Sequence, residues 1–223
     1  MTDKQWNIVK RSATEGVLPG PQVGFIIDSP WLPQWSGVSI LDYLANEEIW
    51  LKSNLKAIKQ FPKVIFLPGF WAEYGMCTEP SAFGSVPRLP EDEFPHPGKT
   101  ISDPEEIDRL HRPDPSVDGL LPLVIKRMQL AESRIKDQGH RFRFAISRGP
   151  LNIACYLMET TEFLTTLKVE PDKAHALLSI ITQFIEDWLS YQRRCFPTIE
   201  GVMILDDIVG FLGPDDFLEF AHP

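Results

Sequence analysis

Apolar positions along the chain fall into two rhythms. Four short runs are nearly continuous or alternate: Val23-Gly24-Phe25-Ile26-Ile27, Lys63-Val64-Ile65-Phe66-Leu67, Arg141-Phe142-Arg143-Phe144-Ala145-Ile146 and Gly201-Val202-Met203-Ile204-Leu205. Bounded by turn residues and too short for helices, they read as strands, the last one fully buried. The stretches between them carry helical spacing. Residues 3–15 form a polar, modestly amphipathic helix stopped at Leu18-Pro19-Gly20-Pro21, because proline and glycine break helices. Ser39, with Asp42 in the next turn, opens a helical stretch (Ile40, Leu41, Leu44, Ile49, Leu51, Leu55, Ile58) that runs to Gln60 in two pieces. A helix over 120–136 ends at the glycine stop Gly139, and Pro150 suits the first turn of a helix over 151–158. Residues 161–169 and 171–195 are helical, the second with Leu177, Leu178, Ile181, Phe184, Ile185, Trp188 and Leu189 as its buried stripe.

Two segments lack a period. Residues 29–39 hold prolines, a glycine and two tryptophans and read as an irregular βα loop, in which Trp31 either walls a pocket or packs on a helix. Residues 85–122 are a proline-rich excursion, rich in acids, with one capped turn at 102–107. It reads as an outer wrapping of a strand pair and short helices.

The order strand, helix, strand, excursion and helix, strand, helices, strand is repeated βα, which demands parallel strands and right-handed crossovers. The four units make one α/β domain over 1–223 and look like the first half of an eight-unit (β/α)8 TIM barrel. A half ring leaves strand edge and apolar surface bare. Three readings follow: a truncated product, pairing with another copy as a homodimer, or a smaller open sheet.

Composition narrows the function. The chain has 223 residues and a net charge of −9, with an isoelectric point near 5.1, which argues against a nucleic-acid surface. A local arginine could still hold an anionic small-molecule substrate. Three cysteines without CxxC spacing argue against a disulfide framework and fit a reducing, cytoplasmic compartment. No apolar run suggests a signal peptide or a membrane span. His96, His111 and His175 have no partner at metal-ligand spacing and read as surface residues.

Candidate chemistry gathers where strands end, since α/β proteins bind ligands at the C-terminal edge of parallel strands. Asp206 and Asp207 close the last strand, and side chains alternate along a strand, so one should face the interior and the other the flanking loop. Either could instead cap a helix or pair with a hidden arginine. Arg148 ends the third strand; it could hold a substrate carboxylate bidentately or satisfy one of those aspartates. The loop after the second strand, Pro68 to Pro80, is dense in aromatic and acidic residues and contributes Trp71, Glu73 and Glu79.

Several of these segments resemble the uroporphyrinogen decarboxylase superfamily. The resemblance lies in Glu79-Pro80-Ser81-Ala82-Phe83-Gly84, in Gly149-Pro150-Leu151-Asn152-Ile153-Ala154 with Tyr156-Leu157-Met158, and in Glu162-Phe163-Leu164 leading to Glu170-Pro171-Asp172-Lys173-Ala174-His175. It continues in Asp206-Asp207-Ile208-Val209-Gly210-Phe211-Leu212-Gly213-Pro214. It is good over 140–223 and loose over the N-terminal third. It implies a (β/α)8 barrel and one of two reactions: cofactor-free decarboxylation of porphyrinogen acetates, or methyl transfer between a corrinoid and a zinc-held thiol. The decarboxylases resembled carry an Arg-Gln-Ala-Gly-Arg loop after the first strand, where this chain has Asp28-Ser29-Pro30-Trp31. Their Phe-Ser-Asp segment after the second strand is replaced by Pro68-Gly69-Phe70-Trp71.

The methyltransferase branch is therefore the better match. It implies zinc ligands downstream of Pro223 and none within these residues. It also implies a corrinoid, as substrate or carried by a partner protein. In that case Asp206, Asp207 and Glu73 would shape the pocket, and Trp31 and Trp71 would wall off water or a flat corrinoid face. For decarboxylation, Arg148 would bind a carboxylate and an aspartate would stabilise a protonated pyrrole. A third reading is a non-catalytic half-barrel acting through its exposed edge.

Overall fold

The computed structural model describes residues 1–16, 20–27 and 30–222. The expected stop at Leu18-Pro19 and the acid Asp28 with its neighbour Ser29 lie outside the described residues, as does Pro223. The chain is mixed α/β, with four parallel-paired strands among its helices.

Helix α1 (Asp3–Glu15) starts with a capping box in which Thr2 Oγ1 accepts from the Gln5 N–H and Gln5 Oε1 accepts from the Thr2 N–H. Strand β1 (Val23–Ile26) pairs in parallel with β2 (Val64–Leu67), Val23 opposite Val64 and Ile26 opposite Leu67. Three helices join them: α2 (Trp31–Ser36), α3 (Ile40–Ala45) and α4 (Glu47–Gln60). The expected two-piece helix after Ser39 is α3 and α4, whose break is Asn46, the N-cap of α4. The expected irregular loop over 29–39 is corrected by α2. Its Pro33 falls in the first turn, where no intrahelical N–H partner is needed, so proline does not break it.

The proline-rich segment makes a short antiparallel ladder, β3 (Pro87–Arg88) with β4 (His96–Pro97), and a 3-10 turn at Pro104–Arg109. It is tied inward where the N–H groups of Thr100 and Ile101 both donate to Leu157 O, each at 2.9 Å, and where Ile101 and Ile107 are buried. Then come α5 (Leu121–Asp137), β5 (Phe144–Arg148), α6 (Pro150–Met158), α7 (Thr160–Val169), α8 (Pro171–Cys195) and β6 (Gly201–Leu205). β5 begins three residues later than its alternation suggested, which makes Arg148 its last residue. β5 and β6 pair in parallel with Arg148 opposite Leu205.

The two parallel pairs are separate: among the described residues no ladder joins β2 to β5. The reason is visible along β5. The N–H of Ile146 donates to Gln192 Oε1 at 3.0 Å and its carbonyl accepts from Gln192 Nε2 at 2.8 Å. Two residues on, the N–H of Arg148 donates to Glu79 Oε1 at 3.2 Å. Side chains from α8 and from the loop after β2 thus take the backbone groups that a neighbouring strand would otherwise use. At the base, Met1 exchanges two 2.9 Å backbone bonds with Arg141 and packs with Trp6 and Ile65.

The core lies between β5 and the helices, where Phe163, Phe184, Trp188 and Phe196 are buried. The expectation of a fully buried last strand is corrected. Val23, Phe25, Ile26, Val202 and Ile204 keep 47–57% of their surface, because β1 and β6 are edge strands with nothing against their outer sides among the described residues.

Candidate substrate chamber at the strand ends

β5 alternates as a strand must. Ala145 and Ser147 are buried beneath the helices, while Phe144, Ile146 and Arg148 share the opposite face. The strand stops at Gly149 because the next residue is Pro150, at the first position of α6. The register then brings Asp206 against Gly149. A Cβ there would lie 2.2 Å from Asp206 Oδ2, so only glycine lets the carboxylate through. Asp206 accepts from the N–H groups of Leu151 and Asn152 at 3.0 and 3.1 Å, capping α6 and meeting the positive end of its dipole. Asn152 closes the clasp, donating to Leu205 O and accepting from the Ile208 N–H. Burial raises the Asp206 carboxyl to about 6, while the two helix N–H groups pull it down.

Asp207 points elsewhere. It is exposed, and its charge acts on Arg148 and on the Tyr156 hydroxyl. The adjacent acids are therefore split, one buried as a helix cap and the other exposed.

The loop after β2 brings the other side. Its backbone is fixed from outside, by Trp50 Nε1 donating to Trp71 O at 3.1 Å and by Arg127 stacking over Tyr74 at 4.8 Å. This places Glu73 Oε2 2.9 Å from Arg148 Nη2, both side chains buried. The Arg148 guanidinium also lies over the Trp71 ring, 5.8 Å from its centroid. Glu79 is buried beside them. Burial pushes its carboxyl upward, and the Arg148 cation offsets only part of that. Arg148, Glu73, Glu79 and Trp71 thus line one small internal cavity with Trp188 and Gln192.

Trp31 is not part of this group. It stacks on Trp35 at 5.3 Å and meets Phe25 edge-on at 5.7 Å, lining a separate apolar pocket. Tyr156 feels the charges of this group without lining the cavity, and it was not singled out from the sequence as a site residue. The available signal was its place four residues after Asn152, hence on the same face of α6. Burial raises its hydroxyl, Arg148 pulls it down, and Asp207 and Glu79 push it up.

No group of three or more His, Cys, Asp or Glu side chains among the described residues could hold a metal. Burial pushes the Cys77 and Cys155 thiols up to about 12, the reverse of what a metal thiolate requires. No helix among the described residues is long and apolar enough to cross a membrane.

A family model described as "Uroporphyrinogen decarboxylase (URO-D)" matches residues 32–223. A uroporphyrinogen decarboxylase of Schizosaccharomyces pombe is 29% identical over 150 residues, 65% of this chain and 40% of that protein. Its namesake in Tolumonas auensis is 28% identical over 152 residues, 66% of this chain and 41% of that one. The match thus spans about two-fifths of the length of these curated relatives. Among solved structures, a methyltransferase from Methanosarcina mazei superposes with a TM-score of 0.70 at 17% identity, over 94% of this chain and 61% of that one. At that identity the likeness concerns the fold.

Proposed function

The chain belongs to the uroporphyrinogen decarboxylase family, and we propose that its strand ends form the substrate chamber of an enzyme of the methyl-transferring branch, built on part of a (β/α)8 ring. The charge at the mouth supports this most. Arg148 is the last residue of β5, and Glu73 and Trp71 already engage it. The segments that follow the four parallel strands, 28–39, 68–85, 149–160 and 206–217, contain no lysine, arginine or histidine. A porphyrinogen with a carboxylate on every side chain would meet acids there and no spare counter-ion.

In this reading Asp207 and Tyr156 face the substrate and Trp71 walls the chamber. Arg148, Glu73 and Glu79 form its floor, and the Asp206 clasp holds α6 in place. A corrinoid, free or carried by a partner protein, would present its flat face to the aromatic wall. When bound, it supplies the methyl group and the cobalt that releases it. Zinc does not fit the described residues: no ligand set converges among them, and the Cys77 and Cys155 thiols are buried and pushed up to about 12. What these residues do is exclude water, orient the acceptor and set the charge around it.

Methylcobalamin with 2-mercaptoethanol tests the reading, with demethylation followed in the cobalamin absorption spectrum. Uroporphyrinogen is offered in parallel and released carbon dioxide is measured. Demethylation that falls in Asp207→Asn is the expected result. Carbon dioxide from the porphyrinogen, with methylcobalamin left intact, would overturn it.

A further inference from the structure

The chamber uses the C-terminal ends of β5 and β6; their N-terminal ends border a second cavity. Its volume is ≈ 170 Å³, and it is lined in part by Glu132 and Lys136 near the end of α5 and by His140, Arg141 and Thr198 from the segments leading into the strands. That is roughly ten times the ~10–15 Å³ that one water needs. The polar groups around it are under-used. Among the described residues Lys136 and Arg141 enter no ion pair, whereas neighbouring Arg143 is taken by Asp3 and Glu200. The Arg141 guanidinium makes one long bond, 3.4 Å to His140 O. His140 is 7% exposed and packs edge-on against Phe70, and its Nδ1 has no hydrogen-bond partner among the described residues. A buried polar atom left in that state is costly unless something binds it. The end of α5 does not repel an anion as an open helix end would, because Ile135 O and Lys136 O already accept from the N–H groups of Gln138, Gly139 and His140.

Two cations facing one carboxylate leave a surplus of positive charge here, in a chain whose net charge is −9. Burial, with the Met1 amino group adding to it, pulls the His140 imidazole down to about 4. It is therefore neutral at pH 7 and can carry its one proton on Nδ1 as a donor. The arginine fork matches a pair of oxygens and the lysine acts as a point charge. Two cations and a neutral donor suit a doubly charged ligand with more than two oxygens better than a single carboxylate. We propose that this cavity binds a phosphate group, held by Arg141, Lys136 and His140 Nδ1, with Glu132 limiting the affinity. The site lies at the other end of the strands from the chamber and does not depend on the reaction assigned there.

The test is calorimetric titration near neutral pH with inorganic phosphate and, separately, with methyl phosphate, at an ionic strength fixed with sodium chloride. Wild-type protein should bind at one saturable site, and the probe held more tightly tells a site for the free anion from one for a phosphate ester. Arg141→Gln should weaken binding about tenfold or more, the scale of a lost charge-assisted hydrogen bond. Lys136→Gln, an exposed charge, should weaken it about threefold, and Glu132→Gln should strengthen it by about as much. The His140 ring signals in ¹H–¹⁵N NMR should move with the same saturation curve, which binding elsewhere on the surface would not produce. His140→Phe removes Nδ1 and should weaken binding as well; should it not fold, the three surface variants and the His140 signals carry the test. The proposal is overturned if wild type shows no saturable binding, if Arg141→Gln binds as well as wild type, if Glu132→Gln binds more weakly, or if the His140 signals stay put at saturation.

Discussion

The two parallel pairs are built from similar material and end in different states. Around β5 and β6, backbone groups are bracketed by Gln192, by Glu79 and by the Gly149–Asp206–Asn152 clasp. Ala145 and Ser147 lie buried beneath the helices. Around β1 and β2 the ladder is equally regular, yet all four residues of β1 are exposed. Neither pair makes the chamber alone. Arg148 comes from the first of these regions, and Trp71, Glu73 and Glu79 come from the loop after β2. The ion pair between Arg148 and Glu73 therefore joins two regions that share no ladder among the described residues, and side chains do the work of that strand pairing.

The sharpest way to break this contrast is to remove the bracket. Gln192 is 2% exposed, and Gln192→Leu would leave both the N–H and the C=O of Ile146 unpaired. We expect a loss of about 2–3 kcal/mol in denaturant unfolding. A loss below about 0.5 kcal/mol would mean that β2 can slide in and pair with β5, erasing the distinction.

The clasp offers a second handle, through pH. The Asp206 carboxyl stands at about 6 against an ordinary 3.8, so the folded state holds a proton that the unfolded chain has released between those values. The stability this contributes is complete below about pH 4 and is lost as pH rises through about 6. After allowance for solvent screening the swing amounts to about 1–2 kcal/mol. Thermal unfolding across pH 4–7 should show it in the wild type and a flatter profile in Asp206→Asn. An unchanged slope in the variant would place the proton elsewhere.

The smallest effect belongs to the bare region. Val23 is 57% exposed, so Val23→Thr should change stability by less than about 0.5 kcal/mol. A loss above about 1 kcal/mol would show that this face is covered in solution, by a second copy or by further chain.

Legibility from sequence followed the range of the interactions. Strands and helices rest on local periodicity and on residues such as Ser39, Asn46, Gly139 and Pro150, whose effect is complete within a turn; they could be placed within a few residues. The irregular-loop reading of 29–39 failed because a proline count ignores where in a turn each proline falls. Arg148, Glu73, Glu79 and Trp71, which line one cavity, stood out in the sequence as residue types at strand ends, and Asp207, which stood out in the same way, is exposed. Trp31 looked equivalent and is not. A loop position says which end of the sheet a side chain reaches, but not which cluster absorbs it.

By itself, then, the sequence determined the alternation of strands and helices, the acid-rich and cation-poor mouth and the family to which the chain belongs, since these rest on order, composition and short-range geometry. Tertiary structure alone decided three things. It set which aspartate became a helix cap and which stayed exposed, and it made Glu73 rather than Asp206 the partner of Arg148. It also gave the edge of β5 to Gln192 and Glu79 instead of to β2. Each is a contest among groups far apart in the chain for one buried hydrogen-bonding position, and only the packed geometry ranks the contestants.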